Sequence, residues 1–128
     1  MRLNLQDDLP FVTVTITFRG VTLEIDGVLV DTGSASSVFQ ADRLAPLGVA
    51  PEPEDTLHAI GGIGGSEVVF TRNVERLQVE TRGLENFEIE VGGMDYGFAI
   101  YGILGMDFLT RTGAVINLRD LTLEFAGS

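Results

Sequence analysis

The chain contains no cysteine, which excludes disulfides, thiolate metal sites and a cysteine nucleophile together. Its single histidine, His58, leaves the usual tetrahedral zinc site without a ligand set. Basic residues are few, 8 against 19 acidic, for a net charge of −11 and a pI near 4.2. Such a surface repels nucleic-acid phosphate and anionic lipid, so neither nucleic acid nor a membrane is expected as a partner. No apolar run reaches the roughly 18 residues of a spanning helix. The N-terminal MRLNLQDDLP carries two aspartates and no apolar stretch, so it is not a secretory signal, and a cytoplasmic location is expected. No calcium-loop spacing and no phosphate-loop motif occur, and residues 44–71 hold neither Lys nor Arg. No metal and no cofactor are expected.

What is present is a strand pattern. At 128 residues and 45% hydrophobic, the chain suits one domain over 1–128 with its core at about 10–125. From Phe11 to Phe18 it reads FVTVTITF, apolar and threonine residues alternating as in a half-buried strand. Arg19-Gly20 punctuates it, VTLEI follows, and Asp26-Gly27 is a hairpin or bulge dipeptide before VLV. Further strands are predicted at Thr56–Ile60, Glu67–Phe70, Val74–Thr81, Phe87–Val91 and Gly97–Tyr101, with a final hairpin turning at Arg119-Asp120. Short helices are predicted over Ala41–Leu47, ending near Gly48, and over Met106–Arg111. PEPED, residues 51–55, reads as a surface loop. The class is all-β, with one or two short helices.

Three segments carry the candidate chemistry: VLVDTGS at 28–34, AIGGIGGSE at 59–67 and GILGMDFL at 102–109. Asp31 leaves an apolar strand at a tight turn, where desolvation or local N–H donors govern its ionisation. Gly33 permits close backbone approach, and the Thr32 hydroxyl can tie the loop to a neighbour. An Asx turn at a strand end would need the same residues. The glycine segment fits a mobile hairpin tip closing over a ligand, or an ordinary glycine-rich turn. Taken alone, the third segment is a strand-to-helix junction.

In combination and in this order, the three segments resemble the retropepsin-like aspartic proteases, single-domain relatives of pepsin that include the retroviral enzymes and bacterial members. The resemblance spans about residues 10–125 and implies a closed β-barrel or sandwich. It implies that Asp31 is catalytic, that Thr32 reaches toward a partner subunit, and that Gly33 lines the substrate backbone. Ile60, Gly61, Gly62, Ile63, Gly64 and Gly65 would form a flap. Val30, Ser34 and Ile103 would join the flap in contacting substrate, and Leu104 and Gly105 would support the Asp loop. The N-terminus continues through MRLNLQDDL before the first long strand, which bears on how the termini meet a partner.

Aspartic-protease chemistry needs two carboxyl groups sharing one proton. The chain has one Asp-Thr-Gly, so the second Asp31 is expected from an identical chain across a two-fold axis. The expected function is a homodimeric aspartic endopeptidase acting on peptides or unfolded protein. Its alternative is a catalytically silent peptide-binding or assembly module on the same fold. His58 is read as a strand or surface histidine, with a pH-sensitive flap contact as the other possibility. Glu52, Glu54 and Asp55, and Glu85, Glu88 and Glu90, are read as solvated faces, selection of basic peptides being the alternative. The chain begins at Met1 without an obvious pro-segment, so control by dimerisation or substrate supply is expected.

Overall fold

In the computed structural model, which describes residues 1–62, 65–93 and 99–126 (backbone alone for 58–62 and 65–68), the alternating stretch forms β2, Leu9–Phe18. Val12, Val14, Ile16 and Phe18 are buried on one face. A short β1, Asn4–Gln6, precedes it and folds back through Asp7 and Asp8, both at positive φ. After the Arg19-Gly20 turn, β3 runs as one strand, Val21–Val30. Asp26-Gly27 is a bulge within it: Val12 opposes Val28 and Val14 opposes Ile25, so Thr13 faces two residues. Gly27 sits at φ +68°, and a Cβ there would lie 2.8 Å from the Tyr101 ring.

Next come β4, Val38–Gln40, and helix α1, Ala41–Leu44, which tightens into a 3₁₀ turn, Ala45–Leu47, and stops at Gly48 in the left-handed conformation. β5, His58–Gly62, and β6, Gly65–Val79, form a hairpin, and β7, Arg82–Gly92, returns along β6. The two strands predicted within 67–81 are one. β8, Gly102–Leu104, leads into α2, Met106–Arg111, then β9, Ala114–Asn117, and β10, Thr122–Phe125.

The strand predicted over Gly97–Tyr101 needs correction. Gly97 and Phe98 lie outside the described residues, and regular pairing begins only at Gly102. Tyr101 bonds to Gly27 and Gln40, but its partner Gly27 is in the bulge, where the ladder cannot run regularly.

Strands β2, β3, β8, β4, β7 and β6 follow one another, and β6 pairs back to β2 through Thr15–Gln78, Ile16–Leu77 and Thr17–Arg76. That last pairing closes a six-stranded barrel, with β1 and β5 as appended edges. Phe39, Leu77, Phe87, Ile89, Leu104 and Phe108 fill it and are essentially inaccessible. Phe108 of α2 packs edge-on against Phe87 at 5.9 Å and against Phe125 at 6.2 Å. Residues 1–3 run beside β10, with Met1, Arg2 and Leu3 pairing to Leu121–Leu123, so both termini are tied within one chain. Among the described residues, β9 has a partner on one side only.

Loop 50–55 is not simply a solvated face. Arg72 reaches from β6 to Glu52 and Asp55, each at 2.6 Å, and to the Ala50 carbonyl at 3.0 Å. The guanidinium is nearly buried and stacks 5.4 Å from the Phe70 ring.

Candidate active site

Along β3, Val28 and Val30 point into the barrel core, so alternation sends Leu29 and Asp31 to the opposite face. The Asp31 amide donates to the Leu104 carbonyl at 3.0 Å, extending the β3–β8 ladder by one step. Beyond it the chain turns sharply. Oδ1 of Asp31 accepts from the Gly33 amide at 2.8 Å and the Asp31 carbonyl accepts from the Ser34 amide at 3.2 Å. The Asx turn is thus the local geometry that fixes the carboxyl group, which remains half-buried, with Thr32 and Gly33 exposed beside it. The Thr32 hydroxyl has no hydrogen-bond partner among the described residues.

The loop rests on the junction between β8 and α2. The Met106 amide donates to Ser34 O at 2.8 Å, and the Asp107 amide to Ala35 O at 3.2 Å. Gly105 is required by space: a Cβ would stand 2.3 Å from the Ser36 carbonyl oxygen and 2.8 Å from that of Ser34. Ser37 is fully buried at the far end of the loop. Its hydroxyl donates to Asp107 Oδ1 at 2.8 Å and accepts from the Gly105 amide at 3.0 Å, and its amide donates to Asp107 Oδ2 at 3.1 Å. Asp107 Oδ1 also accepts from the Phe108 amide at 2.8 Å, so one carboxyl group holds both loop and helix.

On the face that carries Asp31, residues from five strands line up. Phe11 opposes Leu29, Leu29 opposes Ile103, Ile103 opposes Val38, and Val38 opposes Glu90. The first four pack with Leu9 and Ile100 as an apolar cluster separate from the barrel core. A half-buried acid therefore stands at the edge of an apolar floor.

Of the residues singled out from sequence, Asp31, Thr32, Gly33, Ser34, Leu104 and Gly105 come together in this way, and Ile103 lies in the apolar row. Val30 does not: it faces the core, and Leu29 takes the place expected of it beside Asp31. Ser34 turns its hydroxyl onto the Ser36 carbonyl at 2.7 Å. Ile60, Gly61 and Gly62 lie on β5 and pair with β6 in a register that sets Gly62 opposite Gly65. Ile63 and Gly64 lie outside the described residues, and His58 opens β5.

Ser37 and Asp107 escaped sequence reasoning because an acid in a helix's first turn is ordinary and Ser37 sits in a serine-rich loop. Leu29 had a usable signal: VLV, residues 28–30, is apolar at consecutive positions, as in a strand covered on both faces.

No curated protein matches the chain in sequence. The crystal structure of a retropepsin-like aspartic protease from Rickettsia conorii superposes with a TM-score of 0.69 at 18% identity, covering 96% of this chain and 95% of that one. The family model for aspartyl proteases matches residues 12–108, from the first barrel strand into the helix that buttresses Asp31. By that match the chain belongs to the aspartyl protease family, and its fold is retropepsin-like.

Proposed function

We propose that this protein is a homodimeric aspartic endopeptidase in which two Asp31 carboxyl groups, one per chain, activate water against a peptide bond. The observation that carries the reading is the placement of Asp31, half-buried, at the edge of an apolar floor and held by the backbone of its own turn. Two such groups about 3 Å apart cannot both ionise, so the pair shares a proton. The ionised member takes a proton from water, and the protonated one donates to the scissile carbonyl.

A second chain is needed because one Asp-Thr-Gly supplies one carboxyl group. Two features support such a partner: the exposed Thr32 hydroxyl, unpartnered among the described residues, and the open edge of β9, where Val115 on the strand and Leu118 just past its end are 60% and 68% exposed. The substrate would lie as an extended strand between the floor and the β5–β6 hairpin acting as flap. Leu29, the half-buried member of this cluster on the strand that carries Asp31, favours an apolar side chain beside the cut.

The test is digestion of a denatured-protein peptide mixture from pH 3.5 to 7.5 by wild type and Asp31→Asn. Cleavage by wild type alone, with a bell-shaped pH profile, is expected. Equal cleavage by both proteins overturns the assignment. Peptide binding without cleavage by either would favour a silent binding module.

A further inference from the structure

We propose that Glu90 is a specificity-determining residue of this cleft and takes an arginine or lysine side chain of the bound peptide; the proposal rests on the peptide-cleft reading above. On β7, Phe87, Ile89 and Val91 fill the barrel core, so Glu90 points to the opposite face. Its neighbour in the parallel pairing is Val38, and through Val38 and Ile103 it continues the row that begins at Phe11 and Leu29. The row is apolar until Glu90, where it ends in a carboxyl group and then Thr71.

That carboxyl group is half-buried rather than solvated, and its Oε2 is buried without a hydrogen-bond partner among the described residues. Folded proteins rarely leave such an oxygen unpaired, because the lost hydration is not recovered. A strand face turned only to water would not bury it. By turning outward the side chain brings that oxygen to a donor on the peptide, and a cationic donor satisfies it most strongly.

For a peptide running along this row, strand spacing fixes which residue meets Glu90. Neighbouring strands lie about 4.8 Å apart, so Glu90 stands about 10 Å along the row from Ile103. In an extended peptide, side chains on one side recur every 6.6–6.8 Å or so. The side chain two residues beyond the one seated on Ile103 therefore falls short of Glu90 by a few ångströms, which a long cationic side chain spans. The forked guanidinium of arginine suits a carboxyl group best. The net charge of −11 attracts such a peptide to the surface. In a two-fold dimer Glu90 occurs on both sides of the cut, so the preference should appear on both.

Peptides with one apolar cleavage site, carrying Arg, Gln or Glu at each position within four residues of it, test the proposal. Wild type is expected to favour Arg over Gln by about tenfold or more in kcat/KM at one position on each side, the scale of a charge-assisted hydrogen bond. In Glu90→Gln, an isosteric change, the ratio should fall to about one, and in Glu90→Lys it should turn toward Glu. No Arg preference in wild type, or one that survives Glu90→Gln, overturns the proposal. The same peptides titrated onto Asp31→Asn, with and without Glu90→Gln, read the ratio as affinity by fluorescence anisotropy. A ratio that persists there while wild type cleaves nothing overturns the hydrolytic reading alone. Cleavage without the ratio overturns the role of Glu90 alone.

Discussion

The Ser37 hydroxyl donates to Asp107 at 2.8 Å across 70 residues of sequence, and the same oxygen accepts from the Gly105 amide. Loop 31–37 and helix α2 are thereby joined through the buried Ser37 and the half-buried Asp107, where a bond lost leaves the Ser37 groups poorly placed to reach water. The position of Asp31 is inherited from this joint.

Asp107→Ala should therefore cost more than an exposed helix acid would. It strands the Ser37 hydroxyl and amide, and a loss of about 2–4 kcal/mol is expected from two unsatisfied groups, one of them buried side chain. Asp107→Asn keeps one acceptor oxygen and should recover part of it. Urea titration measures the loss, and peptide hydrolysis should fall with it. An unchanged urea midpoint in Asp107→Ala would show that the joint carries no stability.

Two glycines separate crowding from backbone conformation. At Gly105 an added Cβ meets backbone oxygen at 2.3 Å, and backbone cannot swing aside as a side chain can. Gly105→Ala should displace the Asp loop, lowering stability by about 3 kcal/mol, at the upper end of overpacking costs, and abolishing hydrolysis. Gly48→Ala meets open space and suffers only from its φ of +80°, a strain of about 1 kcal/mol. Thermal melts of both variants, with the larger fall at position 105, check the distinction.

Arg72 makes three polar contacts to loop 50–55, and its partner Asp55 is as buried as Arg72 itself. Removing one member of a pair this enclosed is worse than removing a surface charge. Arg72→Met, which keeps the stem over Phe70, should lose about 2–3 kcal/mol by this argument. Arg76→Met breaks an exposed contact to Glu85 and a hydrogen bond from Nε to Gln78 at 2.9 Å, and should change stability by about 1 kcal/mol. Paired urea titrations decide between them.

Association should respond to charge. Two chains at −11 each repel one another, so salt, or pH lowered from 8 toward 5, should raise the dimer fraction in sedimentation. Thr32→Val should weaken the dimer by about tenfold, the value of one hydrogen bond at the upper end, without lowering monomer stability. Equal dimer fractions at every salt and pH would remove charge repulsion as the control.

Much of this architecture was legible along the chain because its causes are local. Alternation wrote β2, the Arg19-Gly20 turn and the Asp26-Gly27 bulge came from residues that tolerate positive φ, and Met106–Arg111 formed the helix expected of it. The end of β3 at Asp31 was readable for the same reason. β1, β4 and β8 have three residues each, too few for any period to register, and their existence depends on neighbours.

Periodicity says which face of a strand is apolar, and it is silent about what the face meets. Only the closed barrel, sealed by β2 against β6, placed Leu29 rather than Val30 beside Asp31. Only cross-strand register set Phe11, Leu29, Ile103, Val38 and Glu90 in one row. Glu88 and Glu90 look alike in the sequence, but Glu88 is exposed while Glu90 hides an oxygen. The residue types and turns were determined by the sequence through short-range sterics and hydropathy; the site was decided by pairings between distant segments, whose register depends on packing the whole barrel at once.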